Sequence, residues 1–192
     1  MKNILILQGN PNKNSLIAAA AQSYYQGALK NSEKVEIIHL VDLKFDPILR
    51  NGYKSTTPLE ADLVDIQEKI KAADHLTLFY PTWWGTMPAL MKGFIDRVFL
   101  PKFAFVYKEN DRLPKKLLRG RSARVVTSMD APWIWYKITG SPGFKAIKNS
   151  ILGFSGFKPI KISTLYTTKN KSEEERKNWL AKINQYGQLD AR

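Results

Sequence analysis

Two short stretches carry the residue types that could do chemistry. The first follows an apolar run, Ile4-Leu5-Ile6-Leu7, and reads Gly9-Asn10-Pro11-Asn12-Lys13-Asn14-Ser15-Leu16 before a helical pattern begins. A small polar loop opening into a helix presents free backbone N–H groups and the positive end of the helix dipole, both suited to a phosphate, with the Ser15 hydroxyl as a further donor. Neither Gly-x4-Gly-Lys nor Gly-x-Gly-x-x-Gly occurs here, and an ordinary strand-to-helix turn capped by Asn14 or Ser15 has the same composition. The second stretch, Tyr80-Pro81-Thr82-Trp83-Trp84-Gly85-Thr86-Met87-Pro88, follows another apolar run and gathers two tryptophans and two prolines where a loop is expected. It offers flat apolar surface, and backbone N–H groups that can meet the polar edge of a planar ring such as a flavin. The competing reading is an aromatic plug or a dimer contact.

Other chemistries have less to stand on. The chain contains no cysteine, which removes disulfides, thiolate metal sites and cysteine nucleophiles. His39 and His75 lie inside apolar runs and read as packed or edge histidines, so no metal site is expected. Asp96 and Arg97 are adjacent on a helical pattern and point about 100° apart, which favours a solvated or structural ion pair over catalysis. The formal net charge of +13 would attract any polyanion. Basic residues cluster mildly at Lys115, Lys116, Arg119, Arg121 and Arg124, as a solvated basic face or as a partner for the phosphates of a nicotinamide dinucleotide. No arginine-rich arm, zinc finger or RNA-recognition signature is present, so no nucleic-acid partner is expected.

The elements that must position these residues alternate. Short β-branched runs at about 3–8, 34–40, 74–80, 122–128 and 158–166 are separated by helical patterns near 15–30, 59–73, 87–99, 143–153 and 172–186. This alternation predicts an α/β fold with a five-stranded parallel sheet in the flavodoxin-like order 2-1-3-4-5, three layers deep, with a ligand beyond the carboxyl ends of the strands. Thr57-Pro58-Leu59-Glu60 and Ser172-Glu173-Glu174-Glu175 read as capped helix starts. The stretches 41–57, 100–121 and 129–142 read as loops on the rim of the sheet. With 192 residues, 44% hydrophobic, the expectation is one domain over 1–192. No apolar run reaches the roughly 20 residues of a membrane-spanning helix, and Gln8 and Gly9 interrupt any signal-peptide core, so a cytoplasmic location without membrane insertion is expected.

A longer pattern carries a resemblance. Tyr80-Pro81-x-x-Trp84, then Pro88-Ala89-Leu90-x-Lys92-Gly93-Phe94-x-Asp96-Arg97-Val98-Phe99, then Phe103-Ala104-Phe105-x-Tyr107 resemble the NAD(P)H:quinone oxidoreductase family of flavodoxin-like flavoproteins. That group includes quinone reductases, small modulators of drug activity and ancillary reductases of potassium-efflux systems. The resemblance runs from Gly9–Leu16 to Ile151–Phe157. It implies that Asn10, Asn14, Ser15 and Leu16 surround the flavin phosphate, that Pro81, Thr82, Trp83, Trp84 and Gly85 line the isoalloxazine, and that Thr127, Ser128, Met129 and Asp130 form a third wall. It further implies that Tyr136 assists proton balance and that Phe105, Tyr107 and Trp133 shape an acceptor pocket. Ile17 stands where the family has an asparagine, and Pro142 about where it has a histidine.

The activity so implied is ping-pong hydride transfer from NADPH or NADH, through flavin N5, to a quinone-like acceptor. The shorter chain favours FMN over FAD, which needs room for its adenosine. The resemblance also implies a homodimer with the site at the interface; the cluster Pro132–Tyr136 would close over the pocket, form the dimer contact, or both. A regulatory subunit that keeps the fold and contacts a membrane transporter is the alternative.

Overall fold

In the computed structural model, which describes residues 1–53, 57–107 and 113–192, five strands form one parallel sheet. They are β1 (Ile4–Gln8), β2 (Val35–His39), β3 (His75–Pro81), β6 (Ser122–Ser128) and β7 (Ile160–Leu165), in the order β2-β1-β3-β6-β7. Counting only these five, the order is the expected 2-1-3-4-5. The runs read as strands are strands to within two residues at each end. Their near-continuous apolar character has a direct cause: β1 and all but the last residue of β3 are buried, because helices cover both faces of the sheet.

One face is covered by α1 (Leu16–Ala28) and α6 (Glu173–Asp190), the other by α2 (Ala61–Ala72), α3 (Ala89–Val98) and a π-helical stretch, Ala146–Gly153. Leu63, Ile66, Met91, Phe94 and Leu152 fill the second layer; Ile17, Ala20, Ala21, Tyr24 and Ile183 fill the first. α1 and α6 approach closely. A Cβ placed on Gly27 would stand 2.0 Å from the Asn184 carbonyl oxygen, and one on Gly187 2.2 Å from the Tyr24 carbonyl oxygen. Backbone cannot yield as a flexible side chain can, so Gly187→Ala should cost about 3 kcal/mol, the upper end for overpacking. Urea midpoints of the two proteins check this, and an unchanged midpoint would show that the helices can part.

Several local expectations are corrected. The helix read from Thr57 begins only at Ala61, with Glu60 as its N-cap residue and no side-chain cap. The Thr57 hydroxyl is buried without a partner, and Glu60 instead receives Arg97 (Nη2 to Oε2, 2.8 Å) and the Asp46 amide (3.0 Å). Asp96 and Arg97 do not pair with each other: Asp96 takes Lys92, while Arg97 is buried and also donates to the Asp46 carbonyl. Arg124 belongs to no basic face; it is buried against Asp190. The rim stretch 129–142 contains a short helix, α4 (Trp133–Ile138), and the start of α5 (Pro142–Lys145). The rim stretch 100–121 contains the small antiparallel pair β4 (Phe105–Val106) and β5 (Lys115–Lys116). Residues 54–56 and 108–112 of the expected loops lie outside the described residues. The Ser172–Glu175 capping box is present in full, and its helix runs four residues beyond the expected end.

At the amino edge of the sheet a polar knot ties the last helix down. Asp190 accepts from Arg124 (Nη2, 3.0 Å) and Tyr24 (Oη, 3.0 Å), and stands 3.4 Å from His75 Nε2. The other nitrogen of His75, Nδ1, meets Ser122 Oγ at 2.7 Å. Burial pushes the Asp190 carboxyl up, but the neighbouring His75 ring and the hydrogen bonds and charge of Arg124 outweigh it, holding it well below the usual carboxylate range.

Candidate functional site

The loops that follow β1, β3, β6 and β7 all lie on the carboxyl edge of the sheet, and the chain reverses its progress across the sheet between β1 and β3. That is where open α/β sheets leave a crevice. In the loop after β1, the buried Asn10 accepts the Asn12 amide through its side chain (3.0 Å), and Asn12 accepts the Asn14 amide (2.8 Å), so two successive Asx turns shape the loop. Ser15 then caps α1, accepting from the Ala18 amide at 3.3 Å. The first ladder bond of α1 is donated by Ala19 to Ser15, which leaves the Leu16 and Ile17 amides without an intrahelical acceptor.

A cleft of about 640 Å3 opens at this helix end, lined by Lys13, Asn14, Ser15, Leu16, Gln22, His39 and Arg176 among others. Two electrostatic features favour an anion there. The first turn of α1 carries no acidic residue, so its positive end is uncompensated, whereas α6 has Glu173, Glu174 and Glu175 in its own first turn. Arg176 lines the cleft; its guanidinium donates to the Thr168 carbonyl (3.0 Å), while its Nε is buried and unpartnered. Lys13 is engaged with Asp42 at 2.8 Å.

Arg176 was not among the residues picked out by sequence. It lies 161 positions after Ser15 (176 − 15), and only its place one turn into a capped helix on the same sheet face hints at the meeting. The structure brings Asn14, Ser15 and Leu16 together in the cleft; Asn10 lies behind it as loop support. Ile17 is fully buried in the core beneath α1, so it contributes a backbone amide and no side-chain contact.

The aromatic stretch forms a tight turn. Trp83 and Thr86 exchange both amide–carbonyl bonds, at 2.9 and 3.0 Å, and the two central residues, Trp84 and Gly85, have φ of 50° and 75°. Positive φ at both central positions marks a type I′ turn, which favours glycine and asparagine; a tryptophan there is strained. The Trp84 indole stands fully in solvent at the tip of the turn. The Trp84 and Gly85 amides make no turn bond, so they are the ones free to face a ligand, whereas the Thr82 amide is used by the Ser128 carbonyl (2.7 Å).

The third wall is firmly tied. Pro81 and Ser128 pair as the last residues of β3 and β6, and the Thr82 and Thr127 hydroxyls meet at 3.0 Å. Met129 is buried and donates to the Leu165 carbonyl. The Asp130 carboxylate accepts from the Thr168 hydroxyl and the Lys169 amide, and these, the Thr168 bond foremost, hold it below the usual carboxylate range. The Tyr136 hydroxyl donates to the Gly85 carbonyl at 2.9 Å, which also receives the Gly143 amide at 3.1 Å. Burial pushes this phenol up. A Cβ placed on Gly85 would stand 3.5 Å from the Pro142 ring, so an apolar ring lies beside the turn.

The three residues assigned to an acceptor pocket are not gathered within one chain. Phe105 packs on Tyr107 and Phe154 and lines a cavity of about 200 Å3 with Ile95, Phe99 and Ile151. Trp133 instead borders a cleft of about 340 Å3 with Tyr166 and Lys171. Among the described residues, no group of three or more His, Asp or Glu could hold a metal ion.

These features define a class: a flavodoxin-like α/β protein with an anion-favouring cleft at its switch point and an exposed aromatic turn on the same edge. The chain belongs to the flavodoxin-like fold family, whose model matches residues 2–188. It is similar to a Streptococcus mutans UA159 protein of known structure, with a TM-score of 0.81 and 30% identity, covering 97% of this chain and 98% of that one. It is also similar to the ribosyldihydronicotinamide dehydrogenase (quinone) of Pongo abelii, 30% identical over 160 residues, which are 81% of this chain and 64% of that one. A third relative is an uncharacterized NAD(P)H oxidoreductase of Haemophilus influenzae, 35% identical over 107 residues, or 54% of this chain and 53% of that one. The chain spans about half to two thirds of the length of the curated relatives it matches.

Proposed function

We propose that this chain is a flavin-dependent NAD(P)H:quinone oxidoreductase, with FMN phosphate at the end of α1 and the flavin ring against the Trp84 turn. The observation that carries the reading is the meeting of an acid-free helix terminus with the basic Arg176 side chain in one cleft. The names of the NAD(P)H- and quinone-linked relatives support the redox assignment. Held there, a flavin would supply hydride chemistry linking NADPH or NADH to a quinone-like acceptor, the two using one slot in turn.

The protein's own part is positional and electrostatic. The Ser15 hydroxyl, the Leu16 and Ile17 amides and Arg176 fix the phosphate. The Trp84 and Gly85 amides meet the ring edge where negative charge grows on reduction. Thr127, Ser128 and Met129 close the third side. Tyr136 braces the turn through Gly85 and can hand over its proton only by releasing that carbonyl. Since Phe105, with Tyr107 packed on it, lines a separate cavity, the acceptor pocket is completed when a second copy brings this pair over the first copy's turn, in a homodimer.

FMN titrated into the full chain should quench its own fluorescence on binding, and the bound flavin band should bleach when NADPH is added without oxygen. Arg176→Ala should weaken FMN binding by roughly tenfold to a hundredfold, the value of a charge-assisted bond to phosphate. Failure to bind either FMN or FAD overturns the reading.

A further inference from the structure

At the amino edge of the sheet, His75 opens β3 and Ser122 opens β6, and the two residues pair in the parallel register. The Ser122 hydroxyl meets His75 Nδ1 at 2.7 Å. The other ring nitrogen, Nε2, is buried and lies 3.4 Å from the Asp190 carboxylate. A carboxylate on that side favours the tautomer with hydrogen on Nε2, which leaves Nδ1 to accept from Ser122. Hydroxyl, imidazole and carboxylate therefore stand in the order that activates a serine, with the roles of the two ring nitrogens exchanged. Arg124 (3.0 Å) and the Tyr24 hydroxyl (3.0 Å) fix the carboxylate in place.

A serine and a histidine that only tie two strands together need neither a carboxylate at the second nitrogen nor a cavity beside the hydroxyl. Here a cavity of about 160 Å3 is lined by Ser122, His75 and Asp190 together with Lys2 and Lys161. Lys2 Nζ donates to the Asp190 carbonyl (3.1 Å), and Lys161 Nζ lies 3.6 Å from the carboxylate. Arg124 already matches the charge of Asp190, so these two ammonium groups leave the cavity positive. That charge suits a carbonyl oxygen that turns negative during acyl transfer.

We propose that Ser122 is a nucleophile that takes the acyl group of a small ester, with His75 as its base and Asp190 as the residue positioning the ring. Ser122 Oγ bonds to the carbonyl carbon as its proton passes to His75 Nδ1. The bond to the leaving oxygen then breaks, and that oxygen departs with the proton. Water repeats the two steps, giving its proton to His75, and releases the acid. None of these residues belongs to the proposed flavin site, which lies on the opposite edge of the sheet, so the activity is tested on flavin-free chain and its failure leaves the flavin reading untouched.

The full chain treated with p-nitrophenyl acetate should release p-nitrophenolate and carry an acetyl ester on Ser122, located by peptide mass mapping. Hydroxylamine should remove that ester, whereas acetyl groups on lysines are amides and persist. A fluorophosphonate should label the same serine. Ser122→Ala should lose the ester and the label, and His75→Gln should slow acylation roughly a hundredfold, as expected for loss of a general base. Both variants are compared with the parent by circular dichroism. The adduct itself is read on the parent chain, so the outcome does not depend on how the variants fold. A parent chain acetylated only on lysines, or a folded His75→Gln chain acylated on Ser122 at the parent rate, overturns the proposal.

Discussion

Replacing Trp84 by glycine should stabilise the free protein and weaken the FMN binding proposed above, two effects of opposite sign from one side chain. An L-residue in the left-handed region costs about 1–2 kcal/mol. Glycine removes that cost but adds about 0.5–1 kcal/mol of backbone freedom to the unfolded chain, for a net gain of about 1 kcal/mol. Nothing is lost from packing, since the indole is in solvent. Once a ring covers it, the indole would bury roughly 80 Å2 of apolar face, worth about 2 kcal/mol, so Kd for FMN should rise roughly thirtyfold. Urea denaturation of the unliganded proteins and FMN titration read the two halves separately. A destabilised glycine variant would mean that the indole packs in the free chain; an unchanged Kd would place the flavin elsewhere. Trp84→Phe keeps the strain and half the surface, and should fall between the two in affinity only.

The second large effect lies at the other edge of the sheet. Asp190→Asn leaves the Arg124 guanidinium buried without its countercharge, which should cost about 3–5 kcal/mol at neutral pH. Adding Arg124→Met should recover much of the loss, because removing both charges also removes the desolvation burden. The pH dependence has a definite sign. Asp190 is depressed in the folded state, so its contribution is fully present above the unfolded value near 4 and is lost as pH falls toward the folded one. The gap between parent and variant should therefore narrow by about 1.4 kcal/mol for each pH unit below about 4. A gap that does not change with acid would show that shape, not charge, sets the cost.

The framework was legible because buried parallel strands are forced into continuous apolar runs, and Ile4–Leu7, Leu76–Phe79 and Val125–Val126 could hardly be anything else. Local polar choices were less legible, because a side chain able to cap or to pair goes to whichever partner tertiary structure supplies. Glu60 looked like the third residue of a capping box and serves Arg97 instead. Arg124 sat in a basic cluster along the sequence but points into the core, where Asp190 waits 66 positions later (190 − 124). Helix α4 was invisible, since a helix with only Tyr136 buried has no apolar period. In the candidate site, loop composition pointed to the stretches Gly9–Leu16 and Tyr80–Pro88, and the family resemblance singled out Asn14, Ser15, Leu16, Trp84 and Gly85 within them. The strained turn geometry and the arrival of Arg176 could not, because both depend on how distant segments meet.

The knot of Asp190 and the glycine contacts of α1 and α6 lie toward the amino edge and the helix backs, while the variable chemistry lies along the opposite rim. An inventor of new acceptor specificities could exploit that separation. A library confined to positions 83, 84, 131 and 133–135 would sample this rim without touching the Asp130 ties or the knot of Asp190, so a large fraction of its members should still fold. What they recognise could then drift freely, with the anchor at the far end of the strands keeping the scaffold constant.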